Sequence, residues 1–214
     1  MTAARVAGLY VLADDDPRWP HDPIEQARAA LAGGASVVQL RAKHAGDRQI
    51  LAWGAAIRRL AREHGALFFV NDRFDLALAC EADGVHLGQD DLPPARIPAA
   101  VRARLRVGRS THTLEQARAA CREPIDYLAF GPLFGTTSKD SPYTARGLDS
   151  LVAVVRIAAP RPVVAIGGID AMNAGSVFAA GAAAVCVISA IAGAADPEAA
   201  ARAIAAAVPS ARSR

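Results

Sequence analysis

The chain has 214 residues, 52% of them hydrophobic and 5% aromatic, with a formal net charge of +3, which fits one globular domain spanning residues 1–214. The arginines are dispersed along helical stretches, so the sequence lacks the basic run typical of proteins that bind nucleic acid. Three widely spaced cysteines, the absence of a secretory signal pattern and the absence of an apolar run of ~20 residues predict a cytoplasmic protein outside the membrane.

Short apolar segments alternate with alanine-rich helical segments along the chain. The eight predicted strands are Gly8–Leu12, Ser36–Leu40, Leu67–Val70, Gly84–Leu87, Arg106–Gly108, Tyr127–Phe130, Val163–Ile166 and Ala184–Ile188. The eight predicted helices are Pro23–Ala32, Asp47–His64, Arg73–Cys80, Pro93–Arg104, Leu114–Cys121, Leu148–Ala158, Ala171–Ala180 and Pro197–Val208. Strict alternation requires parallel pairing, and eight such units predict a single (βα)₈ TIM barrel. A doubly wound open sheet is the alternative, but no G-x-G-x-x-G turn follows the first strand.

One connection is much longer than the others. The segment from Gly131 to Gly147 has 17 residues and neither helical nor strand periodicity. A loop of this length in a compact domain usually has a function, often as a lid. Because the active site of a TIM barrel is formed by the loops that follow the strands, the residues at the strand ends are the candidates for chemistry.

Two carboxylates follow neighbouring strands at their carboxyl ends. Asp72 comes after Leu67–Val70, and Asp91 comes shortly after Gly84–Leu87. In a parallel barrel both should emerge side by side, where they could hold Mg²⁺ together with phosphate oxygens and water. The alternative is that each aspartate caps the helix that follows it.

Cationic and hydroxyl residues follow other strands. After the second strand, Gln39, Arg41 and Lys43 alternate toward the barrel mouth, where they suit an anionic group. After the sixth strand, Thr136–Lys139 combines hydroxyls with a lysine, as in loops that wrap phosphate. Gly167–Gly168 after the seventh strand, and Ser189 after the eighth, occupy the usual phosphate site of this fold.

The number of charges indicates two phosphorylated substrates. The last two loops suffice for one phosphate, which leaves Arg41, Lys43, Lys139 and a cation on Asp72 and Asp91 for a more highly charged group. That surplus predicts a diphosphate in addition to a monophosphate. A diphosphate bound to metal is a good leaving group, so the pattern favours group transfer with release of pyrophosphate.

With these residues assembled, the chain resembles the thiamine phosphate synthase family. The resemblance spans nearly the whole chain, in the expected order. The matching segments are QLRAK (39–43), NDRFDLAL with ADGVHLGQDD (71–91), GRSTHT (108–113), GPLFGTTSK (131–139), AIGGI (165–169) and VISAI (187–191).

The resemblance implies a reaction and a role for each site residue. Hydroxymethylpyrimidine diphosphate would condense with a thiazole phosphate, carboxylated or not, to give thiamine phosphate and pyrophosphate. The bond to diphosphate would break first, and the thiazole nitrogen would capture the resulting cation. The residues expected to hold the pyrimidine diphosphate are Gln39, Arg41, Lys43, Asn71, Ser110 and Lys139, of which Arg41, Ser110 and Lys139 would act in catalysis. The expected Mg²⁺ ligands are Asp72 and Asp91, and the thiazole phosphate would contact Thr136, Ser138, Gly168, Ile188 and Ser189.

A related enzyme class supplies the alternative function. Thiazole tautomerases share the fold and the GRS-x-H segment, and they use its histidine, here His112, to carry a proton. That class tends to lose the metal carboxylates and the QLR-x-K cations, which this chain retains, so the sequence favours the transferase. A monomer and a homodimer are both compatible with the sequence.

Overall fold

The structure, a computed structural model, describes residues 5–135 and 143–209. Eight parallel strands form a closed barrel, in which each strand pairs with the next and the last pairs with the first. The strands are β1 (Gly8–Asp14), β2 (Val37–Arg41), β3 (Leu67–Asn71), β4 (Gly84–Leu87), β5 (Arg106–Thr111), β6 (Tyr127–Phe130), β7 (Val163–Ile166) and β8 (Ala184–Val187). The predicted (βα)₈ barrel is confirmed, and the open-sheet alternative is wrong.

Helices surround the barrel. Within the described residues they are α1 (Pro23–Ala32), α2 (Asp47–Glu63), α3 (Phe74–Ala79), α4 (Ala99–Arg102), α5 (Leu114–Ala120), α6 (Gly147–Ala158), α7 (Ala174–Ala179), α8 (Ser189–Ala192) and α9 (Pro197–Ala205). The long helix predicted for Pro93–Arg104 is wrong. A 3₁₀ turn at Pro94–Arg96 and the short α4 replace it, because Pro98 lacks an N–H donor and keeps Ile97 extended, with φ −67° and ψ 129°. The short helix α8 was not predicted.

Strand side chains alternate between two cores. On β1, Leu9, Val11 and Ala13 belong to the core shared with the surrounding helices, whereas Tyr10 and Leu12 belong to a second core inside the barrel. Strands β1, β2, β3, β6, β7 and β8 contribute residues to both cores, as buried parallel strands do, whereas β4 and β5 contribute only to the outer one. Packed side chains fill the interior, so a ligand has to enter at the mouth.

Local hydrogen bonds fix several helix starts. At the start of α1, the Asp22 carboxylate accepts a hydrogen bond from Glu25 N at 2.9 Å. At the start of α9, the Asp196 carboxylate accepts one from Ala199 N. Thr113 Oγ accepts from Gln116 N at 3.2 Å at the start of α5. Asp22, Thr113 and Asp196 are therefore the N-caps of α1, α5 and α9. No helix in the described part of the chain is long and apolar enough to span a membrane.

Candidate active site

A cavity opens at the carboxyl ends of the strands, between the barrel interior and the loops after β6, β7 and β8. Five of the predicted substrate-binding residues line it, namely Gln39, Ser110, Gly168, Ile188 and Ser189. The other predicted residues that the structure describes lie at or just beyond the ends of β2, β3 and β4, namely Arg41, Lys43, Asn71, Asp72 and Asp91. Thr136, Ser138 and Lys139 lie outside the described residues.

The two predicted metal carboxylates are in contact. Asp72 follows β3 in a tight turn, in which its N–H donates to His86 O at 2.7 Å. Asp91 reaches back toward the end of β4, where its carboxylate accepts from Gly88 N at 2.5 Å. The Asp72 and Asp91 carboxylates lie close enough that Asp72 raises the pKa of Asp91 through hydrogen bonding and through its charge. The turn after β3 and the loop after β4 thus bring together two carboxylates that are distant in sequence.

The electrostatics of this pair suit a cation. Burial raises the pKa of Asp91, and the hydrogen bond and negative charge of Asp72 raise it further, while Gly88 N–H and the Lys43 charge oppose the shift. Lys43 also forms an ion pair with Asp72. Two neighbouring carboxylates, one of which is paired with a lysine, form a site where a bound cation would relieve the repulsion.

The alternative that these aspartates cap helices is wrong. The N-cap residue of α3 is Arg73, which makes no capping hydrogen bond from its side chain. The N-cap residues of the 3₁₀ turn and of α4 are Pro93 and Pro98, so Asp91 caps neither.

Two acidic residues that were not singled out from the sequence position the cationic ones. Asp14, only 2% exposed, pairs in register with Arg41 on the neighbouring strand and forms an ion pair with it. Asp15 accepts from Lys43 N at 2.7 Å and from the next two backbone N–H groups. The run Asp14–Asp16 at the end of β1 was the available signal, because it lies beside the β2 cations in a parallel sheet.

A row of polar side chains, all buried except the half-buried Ser110, forms the floor of the cavity. Gln39 Nε2 donates to Tyr10 OH at 2.6 Å, and the Tyr10 and Tyr127 hydroxyls lie 3.0 Å apart. His86 continues the row, with Nδ1 2.9 Å from Tyr127 OH and Nε2 2.8 Å from Ser110 Oγ. Sequence reasoning selected only the two ends of this row. Strand alternation, which points Tyr10, His86 and Tyr127 inward, was the available signal.

Glycines bring the loops after β6 and β7 close together. Gly167 and Gly168 have φ values of 102° and 65°, which disfavour side chains. A Cβ on Gly168 would lie 2.5 Å from Gly135 O, and one on Gly167 would lie 2.5 Å from Pro132 Cα. Packing within the protein therefore explains why both positions are glycine. Their contact with phosphate stays a prediction.

His112 connects two loops at the cavity wall. Its Nδ1 donates to Gly131 O at 2.7 Å, and its ring stacks on Tyr143 with the centroids 4.0 Å apart. These contacts give His112 a structural role next to the cavity.

A family model described as thiamine monophosphate synthase matches residues 9–191. The chain belongs to the thiamine monophosphate synthase family. The matched range contains every residue predicted for the site, from Gln39 to Ser189.

Individual members of the thiamine monophosphate synthase family are similar over most of their length. A thiamine-phosphate synthase from Anaeromyxobacter dehalogenans is 50% identical over 198 residues, which cover 92% of this chain and 86% of the relative. One from Moorella thermoacetica is 46% identical over 194 residues, with coverage of 91% and 92%.

Solved structures agree with the fold. Thiamine phosphate pyrophosphorylase from Pyrococcus furiosus has a TM-score of 0.84 at 38% identity, over 94% of this chain and 95% of that one. A 3-hexulose-6-phosphate synthase, at 20% identity and a TM-score of 0.63 over 94% and 100% of the two chains, shares the fold alone.

Proposed function

We propose that this member of the family condenses hydroxymethylpyrimidine diphosphate with a thiazole phosphate, releasing pyrophosphate and forming thiamine phosphate. One observation carries the proposal: the Asp72 and Asp91 carboxylates approach each other beside Lys43, past the carboxyl ends of β3 and β4, at the same end of the barrel as the cavity that Gln39 and Ser110 line. Family membership and the similar synthases support the same reaction.

The donor set at the rim fits Mg²⁺. Within the described ranges, no group of three or more histidine, cysteine and acidic residues could hold a metal. The protein would therefore not complete a metal site on its own. Asp72 and Asp91 would provide two oxygen ligands, and phosphate oxygens and water would provide the rest, as Mg²⁺ prefers. When bound, Mg²⁺ would neutralise part of the charge of the departing diphosphate.

The protein's own residues would hold and stabilise the diphosphate. Arg41, oriented by the buried Asp14, would donate to phosphate oxygens, and Lys43 would turn from Asp72 toward the phosphate once a cation balances the aspartate. Asn71, at the end of β3, would donate to the same group. The electrons of the breaking carbon–oxygen bond leave with the pyrophosphate, so charge stabilisation matters more here than a general base.

The second phosphate would lie on the opposite wall. Gly168, Ile188 and Ser189 line the cavity where the loops after β7 and β8 meet, the usual phosphate site of this fold. Ser110, at the floor, would contact the pyrimidine diphosphate. The substrate contacts of Thr136, Ser138 and Lys139 are proposed from the sequence resemblance. The cytoplasmic location stays a prediction from the composition, and a monomer and a homodimer are both compatible with the sequence.

The test is turnover with both substrates and Mg²⁺, compared with the same mixture containing a chelator. We expect thiamine phosphate only when Mg²⁺ is present. Absence of product in both mixtures would refute the transferase, and equal product in both would refute the metal requirement.

Replacement of His112 separates the transferase from the tautomerase alternative. If His112 only connects loops, His112→Ala should lower thermal stability and leave some transferase turnover. A tautomerase would instead isomerise a thiazole phosphate without metal and lose that activity in His112→Ala. Conversion of the thiazole phosphate alone by the wild type would favour the alternative.

A further inference from the structure

The buried row beneath the cavity has a direction. Gln39 Nε2 can only donate, so Tyr10 OH accepts from it at 2.6 Å. The single hydrogen of Tyr10 is then available to the Tyr127 oxygen, 3.0 Å away. Tyr127 in turn can donate to His86 Nδ1 at 2.9 Å, which places the histidine proton on Nε2, facing Ser110 Oγ at 2.8 Å.

We propose that this row, defined as Gln39–Tyr10–Tyr127–His86–Ser110 and called here the polar relay, holds neutral His86 in its Nε2–H form and thereby sets which groups face the substrate. Tyr10, Tyr127 and His86 are positioning residues in this proposal, because they act through Gln39 and Ser110. The reading of its ends as substrate contacts rests on the proposed function. The direction of the relay does not.

Each end of the polar relay would offer one group to a ligand. Gln39 is 2% exposed, and its Oε1 is buried without a hydrogen-bond partner among the described residues. A buried acceptor without a partner is costly unless a ligand supplies the donor. At the other end, Ser110 Oγ accepts from His86, so its own hydrogen can be donated into the cavity. The floor would therefore present one acceptor and one donor at fixed places.

A glycine beside the polar relay leaves room for the contact between Tyr127 and His86. Gly108 on β5 lies against the junction of Tyr127 and His86, and a Cβ there would overlap the Tyr127 hydroxyl and lie 2.5 Å from His86 Nδ1. The two rings stack with their centroids 5.5 Å apart. Because Gly108 has no side chain, the Tyr127 hydroxyl can reach the His86 imidazole.

Both phenols can act as donors at any ordinary pH. Burial raises the pKa of Tyr10 above its usual range and raises that of Tyr127 in the same direction. Each hydroxyl therefore keeps its hydrogen, as a directed row requires.

The test is the tautomer of His86 in the ligand-free protein. Protein labelled with ¹⁵N-histidine is studied by long-range proton–nitrogen NMR at about pH 8, where an unperturbed imidazole is neutral. The chain has five histidines, so His86→Gln identifies the His86 signals. We expect the Nε2–H tautomer. The Nδ1–H tautomer, which the opposite direction would produce, an even mixture, or a doubly protonated ring would overturn the proposal.

A matched pair of variants tests which hydroxyl sets the tautomer. Tyr127→Phe removes the donor to His86 Nδ1, so the Nδ1–H form should become populated. Tyr10→Phe keeps that donor, so the Nε2–H form should persist. An unchanged His86 spectrum in Tyr127→Phe would overturn the assignment to Tyr127. If Tyr127→Phe does not fold, the wild type and Tyr10→Phe still decide the direction.

Kinetics provide a second readout in the same variants. Tyr127→Phe should raise the KM for the pyrimidine diphosphate about tenfold, equivalent to roughly 1.4 kcal/mol of lost binding. A purely structural effect would lower the amount of active enzyme and leave KM unchanged, which would contradict the positioning role. Because the tautomer is measured without substrate, failure of the proposed function and failure of the relay are distinguishable.

Discussion

Asp72 has a backbone conformation that few residues other than glycine adopt, with φ of 62°. Aspartate tolerates this region better than most residues, and the turn is closed by Arg73 N–H donating to Asn71 O at 2.7 Å. Strained conformations of this kind cluster at functional sites, where the surrounding structure maintains them. Here the strain directs the Asp72 carboxylate toward Asp91 and Lys43.

Asp91→Asn is the most informative substitution at the carboxylate pair. The amide keeps an acceptor for Gly88 N–H and can donate to Asp72, so we expect the metal-free protein to lose no stability. Turnover should fall on the order of 10²-fold or more, because a charge-stabilising group is lost. Steady-state kinetics and thermal unfolding of the same preparation check both statements. Normal turnover would contradict the metal role.

The raised pKa of Asp91 predicts a pH dependence of folding stability. The folded, metal-free protein keeps the Asp91 proton to a higher pH than the unfolded chain does, so it binds more protons between the two pKa values. The stabilising contribution is full at low pH and is lost as the pH rises through the folded pKa. Denaturant unfolding at several pH values across this window measures the free energy of unfolding, which should depend less on pH in Asp91→Asn than in the wild type. The same pH dependence in both proteins would contradict the raised pKa of Asp91.

Helix ends show which elements the sequence could predict. The caps Asp22, Thr113 and Asp196 were predictable because each bonds to a backbone group a few residues away. The apolar periodicity continues across Pro98, but the proline interrupts the helix there, so the periodicity alone overstates the helix length. The short α8 has too few residues to show a period. Local signals therefore predicted helix starts better than helix lengths.

Two glycines provide a matched test of packing between elements. A Cβ on Gly33, at the end of α1, would overlap Ala201 of α9 and lie 2.7 Å from Glu198 O, whereas one on Gly175 in α7 would meet nothing within 4 Å. We expect Gly33→Ala to lower the free energy of unfolding by about 1–3 kcal/mol through overpacking. Gly175→Ala should raise it by roughly 0.5–1 kcal/mol, through helix propensity. Denaturant unfolding measures both, and equal effects would contradict this account.

At the scale of the whole molecule, the closed barrel gathers residues from distant parts of the chain. The strand order, and with it the candidate carboxylates and cations at the strand ends, followed from the alternation of elements in the sequence. The partners of those residues did not. The aspartate run and strand alternation indicate which residues are candidates, but the pairing of Asp14 with Arg41 and the contacts within the polar relay depend on strand register and on which side chains meet across the interior.

Ligand binding at the mouth should stabilise the entire barrel. Mg²⁺ with inorganic pyrophosphate at about a hundred times its Kd should add about 2.7 kcal/mol to the free energy of unfolding. For a chain of this size, that corresponds to a Tm increase of roughly 5–10 °C in thermal unfolding. Mg²⁺ alone and pyrophosphate alone serve as controls. A similar increase in Asp91→Asn would place the binding elsewhere.

The measurement that tests the central claim most directly is the stoichiometry of products. Purified protein is incubated with hydroxymethylpyrimidine diphosphate, thiazole phosphate and Mg²⁺, and pyrophosphate and thiamine phosphate are quantified over time. We expect equal amounts of both products and no thiamine phosphate when either substrate is omitted. Neither product, or pyrophosphate released without thiamine phosphate, would contradict the proposed function.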